Sequence, residues 1–396
     1  MIPSYYEYYN PVKVVAGNKA VDNLPYELEQ LGAKRPLVVT DRGVVGAGLM
    51  QIVADAFLGQ EAVLAAVYED TPPDSSVEVV NEVARLYKKN KCDSIVGLGG
   101  GSAIDTAKAV NIVVTEEVDD LITLMGAEVL KKELKPFIAI PTTAGTGSEV
   151  TLVAVVADTK RGIKMPFTSY YLLPKVAILD PRMTLTMPPK ITAATGMDAM
   201  THAVEAYTCI QKNPLSDAHA TAAIALIRDN ILTAVKKGSD KAARFAMANA
   251  SLLAGAAFSN AMVGVVHALA HGVGGVCHVP HGVGNTIFLP FGMEFNLDTV
   301  GDLYGELLLP LAGEDVYFNT PKKNRPARAV EAVRDLNRQL NKACGLPITL
   351  KQAGVPLDKL EDAANAAVND GAVTYNPRGV DYEDALTIMK AAYDWL

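Results

Sequence analysis

Between Pro36 and Pro181 short apolar runs alternate with amphipathic stretches. PLVVT (36–40), AVLAAVY (62–68), SIVGLGG (94–100), FIAIP (137–141), LVAVVAD (152–158) and VAILDP (176–181) read as strands. They are brief and rich in β-branched residues, as strands buried on both faces are. Helical spacing marks VEVVNEVARLYKK (77–89), and helices are also expected from Asp41-Arg42-Gly43 to about Phe57 and from near Ser102. Strands alternating with helices imply a mostly parallel sheet covered on both faces. After prolines 181, 188 and 189 the pattern changes to alanine-rich helical periodicity over 191–209, 216–236, 240–258, 262–275, 328–343 and 381–393. The expected organisation is an N-terminal α/β domain over 1–183 and an all-helical C-terminal domain over 184–396.

Composition narrows the function classes. Of 396 residues, 49% are hydrophobic and 20% charged, which excludes a disordered chain. A net charge of −8 without any basic block argues against nucleic-acid or anionic-membrane partners. Cys92, Cys209, Cys277 and Cys344 form no C-x-x-C pair, so neither a disulfide framework nor a thiolate zinc site is indicated. The opening MIPSYYEYYNPVK lacks an apolar signal-peptide core, and a cytoplasmic setting is expected.

One stretch stands apart. Residues 245–293 contain no Asp, Glu, Lys or Arg. That is long enough to span a bilayer, but the segment carries Asn249, Ser251, Ser259, Asn260, four histidines and several glycines. Lipid penalises such groups, so the expectation is an element buried in protein, whose histidines need partners.

Two loops have the character of ligand sites. Gly99-Gly100-Gly101-Ser102 follows a strand and opens a helix, a combination that suits a diphosphate: the backbone can approach closely and helix N–H groups are free. The spacing is not the usual dinucleotide fingerprint, and a tight β–α turn with Ser102 as N-cap is the competing reading. Pro141-Thr142-Thr143-Ala144-Gly145-Thr146-Gly147-Ser148-Glu149 also follows an apolar strand. Loops at the carboxyl ends of strands in one sheet would converge on a common crevice. Asp41, ending the first strand read above, stands where a ribose-binding carboxylate would; a turn-forming role is the alternative.

A third constellation points to metal. Asp198 and His202 are i and i+4 on one helical face, with Glu205 at i+7. His267 and His271 repeat the i, i+4 spacing within the charge-free segment, and His281 follows in a Pro-Gly-punctuated loop. One carboxylate with several imidazoles suits Fe²⁺ or Zn²⁺, and a site without thiolates can keep an open position for substrate. His278 is read as structural.

GGGSAIDTAK (99–108), PTTAGTGSEVT (141–151), GMDAMTHAVEAY (196–207), HALAHGVGGVCHVPHGVGNTIFLPFGMEFN (267–296) and PRGVDYEDALTIM (377–389) resemble the signatures of the iron-dependent (group III) alcohol dehydrogenases. The resemblance spans nearly the whole chain. It implies an α/β dinucleotide domain, a helical metal domain, and NAD with Fe²⁺ as cofactors, Zn²⁺ being possible. It further implies Asp198, His202, His267 and His281 as metal ligands, with His271 beside the nicotinamide. Gly99, Gly100, Gly101 and Ser102 would take the diphosphate, Thr142, Thr143 and Thr151 would flank the nicotinamide half, and Lys164 matches a cofactor-contacting lysine. The end of the strand at Asp41 would lie beside the adenine ribose. The family's Pro-Asn-Pro-Thr turn reads Pro73-Asp74-Ser75-Ser76 here, so Asp74 replaces an amide that touches the cofactor.

The implied activity interconverts a small primary alcohol and its aldehyde by hydride transfer, with the metal as Lewis acid. His271 is the candidate proton relay. A diol or polyol dehydrogenase of the same family is the near alternative. The implied partner is a small alcohol or aldehyde, in a homo-oligomer of two or more copies. A metal- and NAD-using lyase such as 3-dehydroquinate synthase would need Lys and Arg in its site, which residues 245–293 lack. A non-enzymatic metal-binding protein would leave both polar loops without purpose.

Overall fold

The computed structural model describes residues 3–73, 75–161 and 163–395. These fall into two compact units: Tyr9–Thr186, and the described residues from Met187 onward together with those up to Tyr8.

In the first unit the strands are β1 (Lys13–Ala16), β2 (Pro36–Val39), β3 (Ala66–Tyr68), β4 (Ser94–Gly99), β5 (Gly126–Ala127), β6 (Phe137–Pro141), β7 (Val153–Asp158), β8 (Ile163–Thr168) and β9 (Val176–Leu179). The helices are α1 (Leu24–Gln30), α2 (Arg42–Gly46), α3 (Leu49–Ala56), α4 (Val77–Lys89) and α5 (Gly101–Glu116). Among the described residues one sheet has six strands in the order β1-β9-β6-β4-β2-β3, every pair parallel. Alternation along β2 shows why this unit is layered. Leu37 and Val39 enter a core with α4 and α5, whereas Val38 enters the opposite core with α1 and α3. The chain moves from β2 to β3 on one side, then crosses to β4 on the other, so a topological switch point lies between β2 and β4.

Three strands differ from the expected pattern. Of the run 62–68, only Ala66–Tyr68 is strand. β1 escaped notice because its exposed edge position leaves little apolar signal. β8, also unforeseen, pairs antiparallel with β7 in a small second sheet, which also holds β5.

The second unit is helical: α6 (Pro189–Thr208), α7 (Pro214–Lys236), α8 (Lys241–Ser259), α9 (Val265–Cys277), α10 (His281–Ala312), α11 (Glu314–Asn319), α12 (Arg325–Cys344), α13 (Leu360–Val368) and α14 (Tyr382–Ala391). α6 packs against α7, α8 and α10 and is buried nearly all round from Thr192 onward. His281 is therefore not in a loop: it is the first residue of α10, which bends at Val300. The prolines and glycines that suggested a loop sit at the helix start, which proline tolerates, or in close helix–helix contacts. Among the described residues no helix is long and apolar enough to cross a membrane.

Candidate active site and metal centre

In the α/β unit the two polar loops meet. β4 and β6 are neighbours with Gly99 opposite Pro141, and Thr142 N donates to Gly99 O at 2.9 Å. Gly99 has φ +156°, and a Cβ there would lie 2.6 Å from that of Ala103, so only glycine fits. Side chains at positions 100 and 101 would press on Thr143 and Thr146 at 3.3 and 3.0 Å. The two loops thus form one continuous surface of backbone and small hydroxyls. α5 opens without a side-chain cap, since Ser102 lies inside its first turn and donates to the carbonyl of Pro73. Helix amides left without a side-chain acceptor beside a glycine surface suit a diphosphate, so this structure fits a dinucleotide.

Asp41 ends β2 across the switch point. Its Oδ1 caps α2 by accepting from Val44 N at 3.0 Å, while its Oδ2 lies 3.4 Å from the Cβ position of Gly99. Both sequence readings of Asp41 are thus compatible with its place: it caps a turn and adjoins the glycine loop. Arg42 is exposed and ion-paired with Asp70. Thr142 is buried and Thr143 half-buried. Thr151 is buried too, and its hydroxyl accepts from Lys108 Nζ at 3.1 Å. Lys164 is exposed on β8, whose Met165 and Phe167 are buried. Asp74 lies outside the described residues.

Two charges beyond the glycine loop, Asp105 and Lys108, fasten these loops, a role that the sequence alone did not assign to them. Lys108, fully buried on α5, donates to the carbonyls of Thr151 and Val153 at 2.7 and 2.9 Å. Asp105, one turn earlier, accepts from Ser148 Oγ at 2.7 Å and Val155 N at 3.1 Å. Burial pushes Lys108 down to about 8 against the pull of Asp105 and Glu149, and it pushes Glu149 up to about 7. An i, i+3 acid–base pair in an apolar helix was the available signal.

In the helical unit Asp198, His202, His267 and His281 offer one ligand atom each, all within 4.8 Å of one another. α6 supplies the first two, α9 and α10 one each. His202 stacks on Phe258 at 4.2 Å and on His267 at 4.6 Å between ring centroids, which orients both imidazoles. Burial and the neighbouring rings hold His267 well below its ordinary value, leaving it neutral with a lone pair to give. Burial opposes ionisation of Asp198, but the three imidazoles and Asn285 outweigh it and keep the carboxyl below its usual range. Asn285 Nδ2 lies 2.6 Å from Asp198 Oδ1, 3.2 Å from His267 Nε2 and 3.1 Å from His281 Nε2. Three acceptors converging on one positively polarised group is the arrangement a cation requires. This donor set fits a divalent metal, with imidazole and carboxylate suiting Fe²⁺ or Zn²⁺.

The cluster is buried on one side and open on the other. The Asp198, His202 and His267 side chains are buried, whereas that of His281 is 40% exposed and that of His271 45%. His271 stacks on His281 at 5.1 Å, and its Nδ1 meets Asp370 Oδ2 at 2.8 Å. Asp370 follows α13, 99 positions after His271, where no sequence spacing could reveal it. Asn285, by contrast, is i+4 from His281 and was legible once α10 is known to be a helix. Glu205 is buried behind His267, where burial pushes its carboxyl up to about 7 and backbone donors pull it back. His278 ends α9 in the left-handed conformation.

Comparison with known proteins agrees with this geometry. Residues 11–181 match the family model described as iron-containing alcohol dehydrogenase, and residues 192–393 match that of the Fe-containing alcohol dehydrogenase family, C-terminal. The chain is 37% identical over 388 residues to an NAD-dependent methanol dehydrogenase of Bacillus methanolicus, covering 97% of this chain and 99% of that protein. It is 40% identical over 378 residues to long-chain-alcohol dehydrogenase 1 of Geobacillus thermodenitrificans, covering 94% and 93%. A crystal structure of 1,3-propanediol oxidoreductase superposes with a TM-score of 0.93 at 34% identity, covering 98% of this chain and all of that one. With both domain models matched and relatives aligned end to end, the chain belongs to the iron-containing alcohol dehydrogenase family, which makes it an alcohol-oxidising enzyme and implies Fe²⁺ and NAD(H) as its cofactors.

Proposed function

We propose that this enzyme interconverts a small primary alcohol and its aldehyde, with NAD preferred over NADP and with Asp198, His202, His267 and His281 holding the metal. The observation that carries the reading is the four-ligand cluster with one open face. When bound, Fe²⁺ supplies a Lewis acid for the substrate oxygen and NAD supplies the hydride acceptor. Asp198, His202, His267 and His281 would hold the ion with one carboxylate among three imidazoles, and the side of His281 and His271 would stay open to substrate. Asp370 holds the hydrogen on His271 Nδ1, so Nε2 is the atom at which this residue takes up or returns a proton. Gly99, Gly100, Gly101 and Ser102 are assigned to the diphosphate, Asp41 to the adenine ribose, and Thr142, Thr143 and Lys164 to the remaining cofactor contacts. Thr151 is kept among the cofactor contacts, its hydroxyl held by Lys108.

The likeness to 1,3-propanediol oxidoreductase favours a diol as the second reading. We further infer a cytoplasmic setting, with which four free cysteines agree, and an assembly of two or more copies as the resemblance implies. The test is to load purified protein with Fe²⁺ or Zn²⁺ and follow reduced-cofactor absorbance with methanol, ethanol, butanol, 1,2- and 1,3-propanediol and glycerol. Chelation is expected to abolish turnover and either metal to restore it. No alcohol-dependent cofactor reduction across the panel would overturn the reading.

A further inference from the structure

Glu205 is a buried carboxylate that the chemistry above leaves unused. It lies on α6 two turns beyond Asp198, with its side chain 6% exposed. Oε1 accepts from Val266 N at 2.7 Å, and Oε2 meets His267 Nδ1 at 2.5 Å. The backbone N–H groups of Gly264 and His267 also face the carboxylate. The backbone groups of α9 that face it are all donors, so toward the start of that helix Glu205 acts as an acceptor.

Two consequences follow from that geometry. Nδ1 of His267 faces this carboxylate, so the tautomer that frees Nε2 as a ligand is the one whose hydrogen sits on Nδ1 and is donated to Glu205. Nε2 is the atom turned toward the cluster, 4.0 Å from Asp198 Oδ1 and 3.2 Å from Asn285 Nδ2. The second consequence concerns the helix. α9 starts at Gly264 with no side-chain cap from its own sequence, so Glu205 from α6 and Asn376 supply the acceptors for its first amides. A Cβ at Gly264 would lie 2.8 Å from Asn376 Oδ1 and 3.2 Å from Glu205 Oε1, displacing both.

We propose that Glu205 is a positioning residue of the metal centre: it fixes the tautomer and ring orientation of His267, and with the same carboxylate ties the start of α9 to α6. The proposal rests on reading His267 as a metal ligand. Carboxylates that hold the second ring nitrogen of a ligating histidine commonly act this way, through ring orientation and ligand basicity.

Glu205→Gln keeps the shape but offers one acceptor oxygen where two donor directions converge. Its affinity for Zn²⁺ or Co²⁺, read by chelator competition, is expected to fall about 10–100-fold, and the visible spectrum of the Co²⁺ form to change. Asn376→Ala is the control. It removes the cap on Val265 without touching His267, so it is expected to lower the melting temperature while leaving metal affinity at the wild-type level. Wild-type affinity in Glu205→Gln, or equal weakening in Asn376→Ala, would overturn the proposal. If Glu205→Gln does not fold, ¹⁵N-histidine spectra of the Zn²⁺-loaded wild type decide. The His267 signals, identified by their loss in His267→Ala, are expected to show a protonated Nδ1 and a metal-shifted Nε2. Metal on Nδ1 overturns the assignment. Failure of the wild type to bind metal, or full binding by His267→Ala, overturns the ligand reading itself.

Discussion

In the α/β unit the surface proposed for the cofactor is made of atoms that are missing: three consecutive glycines expose backbone, and the threonine loop packs beside them. In the helical unit the surface is made of atoms that are present, four side chains delivered from three helices. The first is damaged by adding a methyl group, the second by removing a ring. The supporting charges differ in the same sense. Lys108 and Asp105 fasten loops to a helix, whereas Glu205 and Asp370 each hold one imidazole.

His267→Ala is expected to break this comparison most sharply. Metal content should drop to near background while NAD binding, which depends on the other unit, stays intact. Turnover should fall by about 10³-fold or more, because a Lewis acid contributes several kcal/mol to such a reaction. Elemental analysis together with a cofactor titration checks it, and near-normal metal content would sink the ligand assignment. Next in size is His271→Gln. Metal and NAD are expected to remain bound while kcat falls about 10²-fold, the scale of general acid–base catalysis. An unchanged kcat would reduce His271 to a spectator.

Asp41→Gly sharpens the other side. A 2′-phosphate about 4 Å from a carboxylate is repelled by about 4 kcal/mol at an effective dielectric of 20, which solvent reduces to about 1–3 kcal/mol, or roughly tenfold to a hundredfold discrimination. Arg42 pairs with Asp70 at the exposed surface, so a 2′-phosphate would have to compete with that carboxylate for its guanidinium. Glycine also keeps most of the N-cap value that Asp41 gives α2. The ratio of kcat/KM for NAD and NADP is expected to shift toward NADP; equal use of both by the wild type would contradict the role of Asp41.

The smallest effect is on stability. Burial raises Glu149 from 4.5 to about 7, against the pull of Lys108. The folded state thus keeps a proton that the unfolded chain releases near pH 4.5. That contribution is complete below pH 4.5 and is lost as pH rises through 7, by about 1–3 kcal/mol. Thermal melts of Glu149→Gln between pH 4.5 and 7 are expected to be flatter than those of the wild type. Parallel curves would show that Glu149 does not titrate in this range.

What could be read in advance follows the same division. Strands buried on both faces, such as Phe137–Pro141, announce themselves as continuous apolar runs, and Val77–Lys89 shows its amphipathic period directly. The edge strand β1 and the outlying β8 carry half-exposed, mixed residues and give no such signal. His202 is one helical turn beyond Asp198, so local spacing linked them. The pairing of His271 with Asp370, and of Glu205 with the start of α9, joins residues 99 and about 60 positions apart. Only tertiary packing creates those contacts. α10 was hidden because glycine and proline serve close packing and a helix start there, not a loop.

The charge-free stretch 245–293 has a consequence for the birth of the protein. α9 packs against α13, and α10 against α12, so both depend on cover that lies later in the chain. On the ribosome, 75 residues separate Met293 from the end of α13 at Val368. At about 5–20 residues per second that is roughly 4–15 s during which an apolar segment without a single charged gatekeeper waits for its cover. Nascent chains stalled before α12 are expected to be chaperone-bound or aggregated, and those extended past α13 to escape.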